Sequence, residues 1–264
     1  MIAAASAPEV VVSDLPQGAG RLPGKGHWTR DVAFSGDGTT MFVSIGSFSN
    51  NQEDGEDETN RARILAYDPD SANGCVVAWG LRNPVSMSIS PVNGALWTTN
   101  NERDELGDNL VPDFVTAVQP SEFFGWPWYY IGANPDPRHS DAAREGLPPV
   151  SIPNVLLQAH SASLGSAFYT GSQFPAEYLG SLFVATHGSW NRGEAVGGKV
   201  IRIVFDSTGN AMPYYEDFMT GFATGDHEVW GRPVGVTTGA DGSLYVSEDA
   251  NSTIWCVRYV GLAP

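Results

Sequence analysis

The sequence predicts an all-β fold of the propeller type, and three observations support this. One hairpin pattern recurs along the chain, in which two apolar runs are joined by a tight turn such as Asp-Gly or Asn-Gly. Each run is short and bounded by turn residues, which favours strands over helices. The copies are spaced irregularly, very roughly 50 to 90 residues apart, which is typical of propeller blades with inserted loops. A sandwich or a barrel is the second choice, because its strands are more evenly spaced.

The clearest copy of the hairpin lies at residues 24–47. Its predicted strands are Val32–Phe34 and Met41–Ile45, on either side of a Ser-Gly-Asp-Gly turn. Before it, residues 9–14 are predicted as a strand that resembles the last strand of a preceding unit. Further hairpins are predicted at residues 87–101, 174–188 and 236–249, and additional strands at 64–67, 114–118, 200–205 and 254–260.

These elements predict one domain over residues 1–264, with about four blades plus one strand. Two loop insertions interrupt the pattern. Residues 50–61 are acidic and either grip a cation or, as we prefer, form a solvated loop. Residues 123–153 carry the run Gly-Trp-Pro-Trp-Tyr-Tyr, which is either a lid or sugar-binding platform, or a cluster that packs the insertion onto the propeller.

Charge and composition exclude some partners. The chain has 30 acidic and 14 basic residues, a formal net charge of −16, which repels a nucleic acid backbone. It has no run of about 18 apolar residues, so no membrane span is expected, and its start lacks the basic region of a signal peptide. Cys75 and Cys256 lie in apolar runs; half-buried thiols are expected, and a single disulfide is the alternative.

Six motifs occur in a fixed order from about Val10 onward: HWTRDVAFSGDG, GLRNPVSMSISP, FFGWP, AHSASLGSAFYTG, LFVATHGSWNR and WGRPVGV. With these motifs the sequence resembles the pyrroloquinoline-quinone (PQQ)-dependent sugar dehydrogenases, in particular the glucose/sorbosone dehydrogenase branch with its L-sorbosone dehydrogenases. The resemblance implies a six-bladed β-propeller, of which roughly the first two blades are not visible in this chain. It also implies PQQ and calcium (Ca²⁺) near the central channel, and a periplasmic or secreted location.

The resemblance assigns catalysis to a His-x-x-Arg motif, here His27 and Arg30. In the family the histidine removes the hydroxyl proton, PQQ takes the hydride, and calcium acts as a Lewis acid. A histidine with an ordinary pKa near 6.5 is neutral, and therefore basic, at working pH. The structural alternatives are a loop histidine bonded to the backbone and an arginine in a surface salt bridge.

Cations and amides are needed to hold the three carboxylates of PQQ. In the glucose dehydrogenase branch, the position of Arg232 begins an Arg-x-Arg pair that binds these carboxylates, and Val234 occupies the second position here. The resemblance therefore points to Arg192 or Lys199 as the substitute.

Two asparagines and one acid complete the predicted site. Asn83 matches a cofactor-contacting asparagine of the family, with capping of the turn before Pro84 as the alternative. Residues 99–103 match the segment that holds calcium, so Asn101 is predicted to contact cofactor and metal. Glu102, where the family usually has glycine, is predicted to give calcium a hard oxygen ligand.

Two further histidines end motifs, His160 and His187. Each either lines the channel near the substrate or is a half-buried histidine bonded within a blade.

The predicted function is a PQQ- and calcium-dependent oxidoreductase that oxidises a sugar or a sugar-derived aldehyde or alcohol, with an unspecified electron acceptor. One alternative is a non-catalytic binding propeller. Another is a calcium-dependent lactonase.

Overall fold

The structure is a computed structural model that describes residues 8–16, 26–51, 58–139, 146–225 and 228–261. Within these ranges the regular structure is β, apart from one turn of 3-10 helix at Ala176–Tyr178. The predicted all-β class is therefore confirmed. In the same ranges, no helix has the length and apolar character needed to cross a membrane.

Twenty strands are present in the described residues. In chain order they are β1 (Val32–Phe34), β2 (Met41–Ile45), β3 (Arg63–Tyr67), β4 (Gly74–Trp79), β5 (Pro84–Ile89), β6 (Leu96–Asn100), β7 (Pro112–Val118), β8 (Glu122–Phe123), β9 (Tyr129–Tyr130), β10 (Asn134–Pro135), β11 (Val155–Ala159), β12 (Ser163–Phe168), β13 (Leu182–Thr186), β14 (Lys199–Phe205), β15 (Ala211–Met219), β16 (Ala223–Gly225), β17 (Glu228–Val229), β18 (Pro233–Thr238), β19 (Leu244–Glu248) and β20 (Thr253–Val257).

Four antiparallel sheets follow one another along the chain. The first contains β1 to β4, with β8 added in parallel to β4. The second has the order β11-β7-β6-β5, the third β12-β13-β14-β15, and the fourth β18-β19-β20. Two small hairpins, β9 with β10 and β16 with β17, lie outside these sheets. Each large sheet is mainly a meander of sequential strands, as the recurring hairpin predicted.

Local turn chemistry explains why the hairpins form. In the first one, the carboxylate of Asp37 accepts hydrogen bonds from Ser35 Oγ at 2.6 Å and from the Thr39 amide at 3.1 Å. Gly38 has a φ of 74°, a value that glycine adopts without steric cost. These contacts fix the turn between β1 and β2, and with it their register.

The first strands of the four sheets lie side by side. The Met87 amide of β5 donates to Asp31, just before β1, at 2.6 Å, and Ser86 of β5 meets Ser166 of β12 with 3.1 Å between their hydroxyl oxygens. Gly165 of β12 lies so close to Val234 that a Cβ atom there would be 2.7 Å from the Val234 carbonyl oxygen. This arrangement is consistent with a β-propeller. The number of blades stays a prediction.

Apolar layers between successive sheets form the core. Ile64 and Phe114 belong to the layer between the first and second sheets, and Trp97 and Ile201 to the layer between the second and third. A third layer joins the third and fourth sheets and includes Tyr169, whose hydroxyl donates to the Gly242 carbonyl at 2.7 Å. The sheets are therefore held together mainly by burial of apolar side chains.

The predicted strand at residues 9–14 is wrong. The structure describes this segment without strand pairing, and Val12 and Leu15 instead pack against the apolar cluster of β2 and β3. Its apolar side chains pack against this cluster, and its backbone pairs with no strand in the described residues.

The hairpin predicted at residues 174–188 is only half right. Its second strand is β13, but Phe174 precedes the 3-10 turn, and the first strand of the sheet is β12. The reason is local: the Tyr169 hydroxyl accepts from the amides of Gln173 and Phe174, at 3.1 and 2.9 Å. These amides therefore bond to a side chain and not to a neighbouring strand.

The aromatic residues of the 123–153 insertion pack it onto the first sheet. Phe123 stacks on Trp79 with ring centroids 4.0 Å apart, and Trp128 lies 6.3 Å from Phe123. Trp126 is buried, with the Arg82 guanidinium 5.8 Å from its ring centroid. For Phe123, Trp126 and Trp128, the structure confirms the alternative in which the aromatic cluster packs the insertion onto the sheet, and not the lid.

Two other sequence expectations have mixed outcomes. Most of the acidic run in the 50–61 insertion, residues 52–57, lies outside the described residues, whereas the Glu58 carboxylate accepts from the Phe48 amide. Cys75 and Cys256 are both free and exposed, so the disulfide alternative and the expected half-burial are wrong. Cys256 lies in the edge strand β20, and Cys75 lies in β4 ahead of the residues that pair with β8, so both side chains face solvent.

A buried ion pair fastens the insertion to the loop after β6. Arg103 Nη1 lies 2.6 and 2.5 Å from the two carboxylate oxygens of Asp136, and both side chains are almost fully buried. Removing one partner of a buried pair leaves an uncompensated charge.

We therefore expect Arg103→Ala to lower the free energy of unfolding by about 3 to 5 kcal/mol, as measured by urea denaturation. The matched control is Arg258→Ala, whose pair with Asp241 is exposed to solvent and should contribute much less. Equal effects of the two substitutions would contradict this assignment.

Candidate functional site

A cavity of about 470 Å³ opens where loops from the first, second and third sheets meet. This volume lies in the range of small-molecule and cofactor sites. The loops follow β2, β6 and β13 and precede β1, β5 and β12, and one lining residue, Asp113, lies in β7. The lining residues are Gly26, His27, Asn50, Arg82, Asn83, Asn101, Glu102, Asp104, Asp113, His160, Ala162, Trp190 and Asn191.

His27 is held in a defined tautomer. The Ser47 hydroxyl donates to the Ser49 carbonyl at 2.6 Å, so its oxygen is free to accept from His27 Nδ1, 2.9 Å away. The proton therefore sits on Nδ1, and Nε2 keeps its lone pair. Burial, and then the positive charge of Arg82, lower the pKa of His27 well below its usual 6.5. The ring is neutral at neutral pH and presents a basic nitrogen.

Gly46 lets His27 and Asn83 approach each other. A Cβ atom at position 46 would overlap both the Cβ of His27 and the side-chain oxygen of Asn83. The backbone amide of Asn83 donates to Asn100 Oδ1 at 3.0 Å. The side-chain oxygen of Asn83, Oδ1, is buried and has no hydrogen-bond partner in the described residues. An orphaned acceptor on a cavity wall suits a ligand that is a cation or a donor.

We therefore expect Gly46→Ala to push His27 and Asn83 apart and to cost about 1 to 3 kcal/mol of stability, as overpacking does elsewhere. Thermal unfolding measures this. Gly36→Ala is the control, because position 36 has open space within 4 Å. A Gly46→Ala protein as stable as Gly36→Ala would show that this contact is not tight.

Arg82 is buried and bonded on several sides. Its Nε donates to the Asn50 carbonyl at 2.7 Å, its Nη1 to the Asn101 carbonyl at 2.9 Å, and its Nη2 to Asn50 Oδ1. Asp104 lies 4.0 Å from Nη2. Burial lowers the pKa of Arg82, and the nearby acids oppose this effect. The guanidinium thereby holds two cavity loops together.

Three carboxylates surround the guanidinium. Glu102 accepts from Asn100 Nδ2 at 2.9 Å, and Asp113 accepts from the Glu102 amide at 2.9 Å and the Ala162 amide at 2.7 Å. Burial raises the pKa of Glu102 to about 7 and that of Asp113 to about 6. Together with Asp104 they make the cavity acidic overall.

His160 and Asn191 meet at Asp104. The Asp104 Oδ1 atom lies 3.0 Å from His160 Nδ1 and accepts from Asn191 Nδ2 at 2.7 Å, while His160 Nε2 lies 3.0 Å from the Gly107 carbonyl. His160 thus lines the cavity, but both of its ring nitrogens face protein acceptors. His187 lies elsewhere, with Nε2 3.0 Å from Asp249.

Four of the predicted site residues converge on the cavity: His27, Asn83, Asn101 and Glu102. Trp190 and Asn191 also line the cavity, and they were not predicted from the sequence as ligand contacts. Asp113 had a usable signal, because it is a lone acid in the apolar run of β7. Within the described residues, no group of three or more His, Cys, Asp or Glu side chains forms a metal site. A cation here would also need amide or carbonyl oxygens.

Arg30 and Arg232 lie outside the cavity lining. Arg30 Nη1 donates to the His27 carbonyl at 3.2 Å and its Nη2 to the Pro16 carbonyl at 2.9 Å. Arg30 therefore braces the loop that carries His27. Arg232 donates to the His187 carbonyl at 3.3 Å, at the junction of the third and fourth sheets.

Arg192 and Lys199 also lie outside the lining. Arg192 Nη1 donates to the Asp108 carbonyl, which ties the Arg192 loop to the loop after β6. Lys199 Nζ forms an ion pair with Asp217 at 2.7 Å, across the pair of strands β14 and β15. In this conformation neither cation faces the cavity.

The raised pKa of Glu102 predicts how stability depends on pH. Its ordinary pKa is 4.5, so between about pH 4.5 and 7 the folded protein holds a proton that the unfolded chain has lost. Stability is therefore full below this window and falls as pH rises through it. In EDTA, urea denaturation should show a loss of stability between about pH 4.5 and 7, of which Glu102 contributes up to about 3 kcal/mol.

Glu102→Gln should remove that contribution and flatten the pH profile. Glu177→Gln, which changes an exposed acid outside the cavity, should leave the wild-type slope. A Glu102→Gln profile as steep as that of the wild type would refute the assignment.

This chain shares its fold and its family with known proteins. The fold matches a Trichoderma reesei protein of carbohydrate-active enzyme family AA12 with a TM-score of 0.71 at 21% identity, covering 87% of this chain and 68% of that chain. It also matches the PQQ domain of a pyranose dehydrogenase from Coprinopsis cinerea in its holo form, with a TM-score of 0.70 at 23% identity, covering 88% and 70%. At these identities the likeness shows a shared fold.

The family follows from the sequence. The TrAA12-like family model matches residues 2–126 and 130–260, and the chain belongs to that family. An uncharacterized protein from Borreliella burgdorferi is 34% identical over 235 residues. A PQQ-dependent pyranose dehydrogenase from Coprinopsis cinerea is 26% identical over 296 residues. Each alignment covers 88% of this chain, which spans 61% of the first relative and 39% of the second.

Proposed function

We propose that this chain carries the active site of a PQQ-dependent sugar oxidoreductase in which His27 is the general base. The observation that carries the proposal is that His27 lines the cavity with its Nδ1 atom 2.9 Å from Ser47 Oγ, a contact that leaves Nε2 without a hydrogen-bond partner in the described residues. The related pyranose dehydrogenase, named as PQQ-dependent, supports the cofactor and the substrate class. A sugar-derived aldehyde such as sorbosone and a periplasmic or secreted location belong to the same proposal.

The proton chemistry follows from His27. Oxidation of a sugar hydroxyl group to a carbonyl removes two hydrogens. The hydroxyl hydrogen leaves as a proton, and the hydrogen bonded to the same carbon leaves as a hydride. A substrate hydroxyl that donates to Nε2 transfers its proton there, and the imidazolium keeps its Nδ1–H bond to Ser47. Burial and the positive charge of Arg82 destabilise this imidazolium, so the proton is readily released again. Arg30 positions the base through its bond to the His27 carbonyl.

The cavity oxygens suit calcium. Asn83 Oδ1 is buried without a partner in the described residues, and Glu102 and Asp113 are buried carboxylates, which are hard oxygen donors. We propose that Asn83, Glu102 and the Asn101 segment hold the ion. When bound, PQQ supplies the hydride acceptor and calcium the Lewis acid that polarises it.

For PQQ the cavity offers the Arg82 guanidinium and side-chain amides. The anionic cofactor would be opposed by the acids around Arg82, so its binding should depend on a cation that offsets them. Arg192, Lys199 and Arg232 bond to protein groups outside the cavity lining, and a contact with the cofactor would require each of them to change partners.

This same distribution of charge favours a second candidate, a non-catalytic propeller that binds calcium. Calorimetry separates the two. Calcium binding followed by PQQ binding supports the enzyme, whereas calcium binding with no heat on adding PQQ supports the binding protein.

His27 provides the direct test of catalysis. After reconstitution with PQQ and calcium, we expect dye-linked oxidation of glucose or sorbosone, and a loss of about 10²-fold or more in kcat for His27→Gln. The PQQ absorption spectrum should persist in the variant. In the wild type, kcat/KM should fall at acid pH with an apparent pKa below 6.5, because the pKa of His27 is lowered.

His187→Gln is the control, since His187 bonds to Asp249 away from the cavity. Activity retained in His27→Gln, or lost equally in both variants, would reject His27 as the base.

A further inference from the structure

Trp190 lies between two cavities: the cavity of about 470 Å³ that contains His27, here called the main cavity, and a second, smaller one. Its side chain is 80% exposed, yet it lines both cavities. The second space, here called the side cavity, has a volume of about 210 Å³ and shares Asn50, Asp104, His160 and Asn191 with the main cavity. The two spaces are therefore neighbouring compartments with a common wall.

The loop that carries Trp190 is fixed on both sides of the indole. Before it, the Ser189 amide donates to the Val196 carbonyl at 2.9 Å, which closes the loop. After it, the Gly193 amide donates to Asp108 Oδ2 at 3.0 Å, and Asn191 is bonded to Asp104. The backbone is thus anchored while a large aromatic side chain remains in water. Such a ring is preorganised to be covered by a ligand.

The polar groups around the indole suit hydroxyl donors. Asn191 Oδ1 is buried and has no hydrogen-bond partner in the described residues, and the side cavity adds the carboxylates of Glu105 and Asp108. Arg138 pairs with Glu105 at 2.7 Å. With Asp104 present as well, this wall is acidic and repels anionic ligands. A neutral pyranose has apolar C–H faces for the indole and hydroxyl groups for these acceptors.

We propose that Trp190 and the side cavity form a subsite for the second sugar unit of a neutral disaccharide or longer saccharide, whose first unit occupies the main cavity. The inference rests on the proposed function, since it takes the main cavity as the sugar site. It makes Trp190 a residue that determines preference for chain length.

Isothermal titration calorimetry without PQQ tests the proposal, with glucose, maltose and cellobiose as probes. We expect at least one disaccharide to bind about tenfold more tightly than glucose, the size expected for one additional stacked ring. Trp190→Ala should abolish this preference, and Trp190→Phe should keep part of it. Trp28→Ala removes another exposed tryptophan, one that lines neither cavity, and should leave the preference intact.

Equal affinity for glucose and both disaccharides, binding of none of them, or a preference that survives Trp190→Ala would overturn the proposal. Circular dichroism confirms that each variant is folded. PQQ titration of the same proteins reports separately on the proposed function: PQQ binding without a length preference rejects only the subsite, whereas a length preference without PQQ binding rejects only the quinoprotein assignment.

Discussion

The architecture of the site depends on one buried guanidinium. Arg82 has almost no solvent contact, so protein atoms must satisfy its charge and its donors. They come from three separate segments: Asn50 after β2, Asn101 after β6, and the ring of Trp126 in the insertion. Because an unpaired buried charge costs several kcal/mol, these segments are held in the positions that satisfy Arg82. The cavity is the space left between them.

Burial, more than this charge, sets the protonation states around Arg82. Arg82 contributes to lowering the pKa of His27, while burial raises the pKa of Glu102 and Asp113 despite its proximity. At neutral pH the cavity therefore combines a neutral base with carboxyl groups that are partly protonated. A bound cation would favour the ionised form of these acids, so cation binding and proton release are linked. For the proposed calcium ion, affinity should accordingly rise with pH.

The structure also explains which features could be predicted from sequence. Local signals succeeded: the Asp-Gly turn and the flanking apolar runs gave β1 and β2, since their pairing is set by adjacent residues. Signals that depend on distant partners failed. Residues 9–14 look like a strand, but no sheet edge pairs with them in the described structure. The Phe174 amide bonds to a tyrosine hydroxyl, which apolar periodicity does not encode.

For the site residues too, local motifs were informative, whereas contacts with distant partners could not be predicted. His27, Asn83 and Asn101 were identified by the resemblance of their motifs to the dehydrogenase family, and all three line the cavity. Arg192 was expected to substitute for the arginine that Val234 replaces, but its partner is a carbonyl on another loop, which no motif reveals.

The central claim is that His27 presents an unprotonated Nε2 while Nδ1 donates to Ser47. Nitrogen NMR of the protein labelled with ¹⁵N-histidine tests it most directly, with His27 assigned by subtraction of the His27→Gln spectrum. The account predicts a neutral ring at pH 7, with the proton on Nδ1, that titrates only below pH 6.5. An imidazolium at pH 7, or a proton on Nε2, would contradict it.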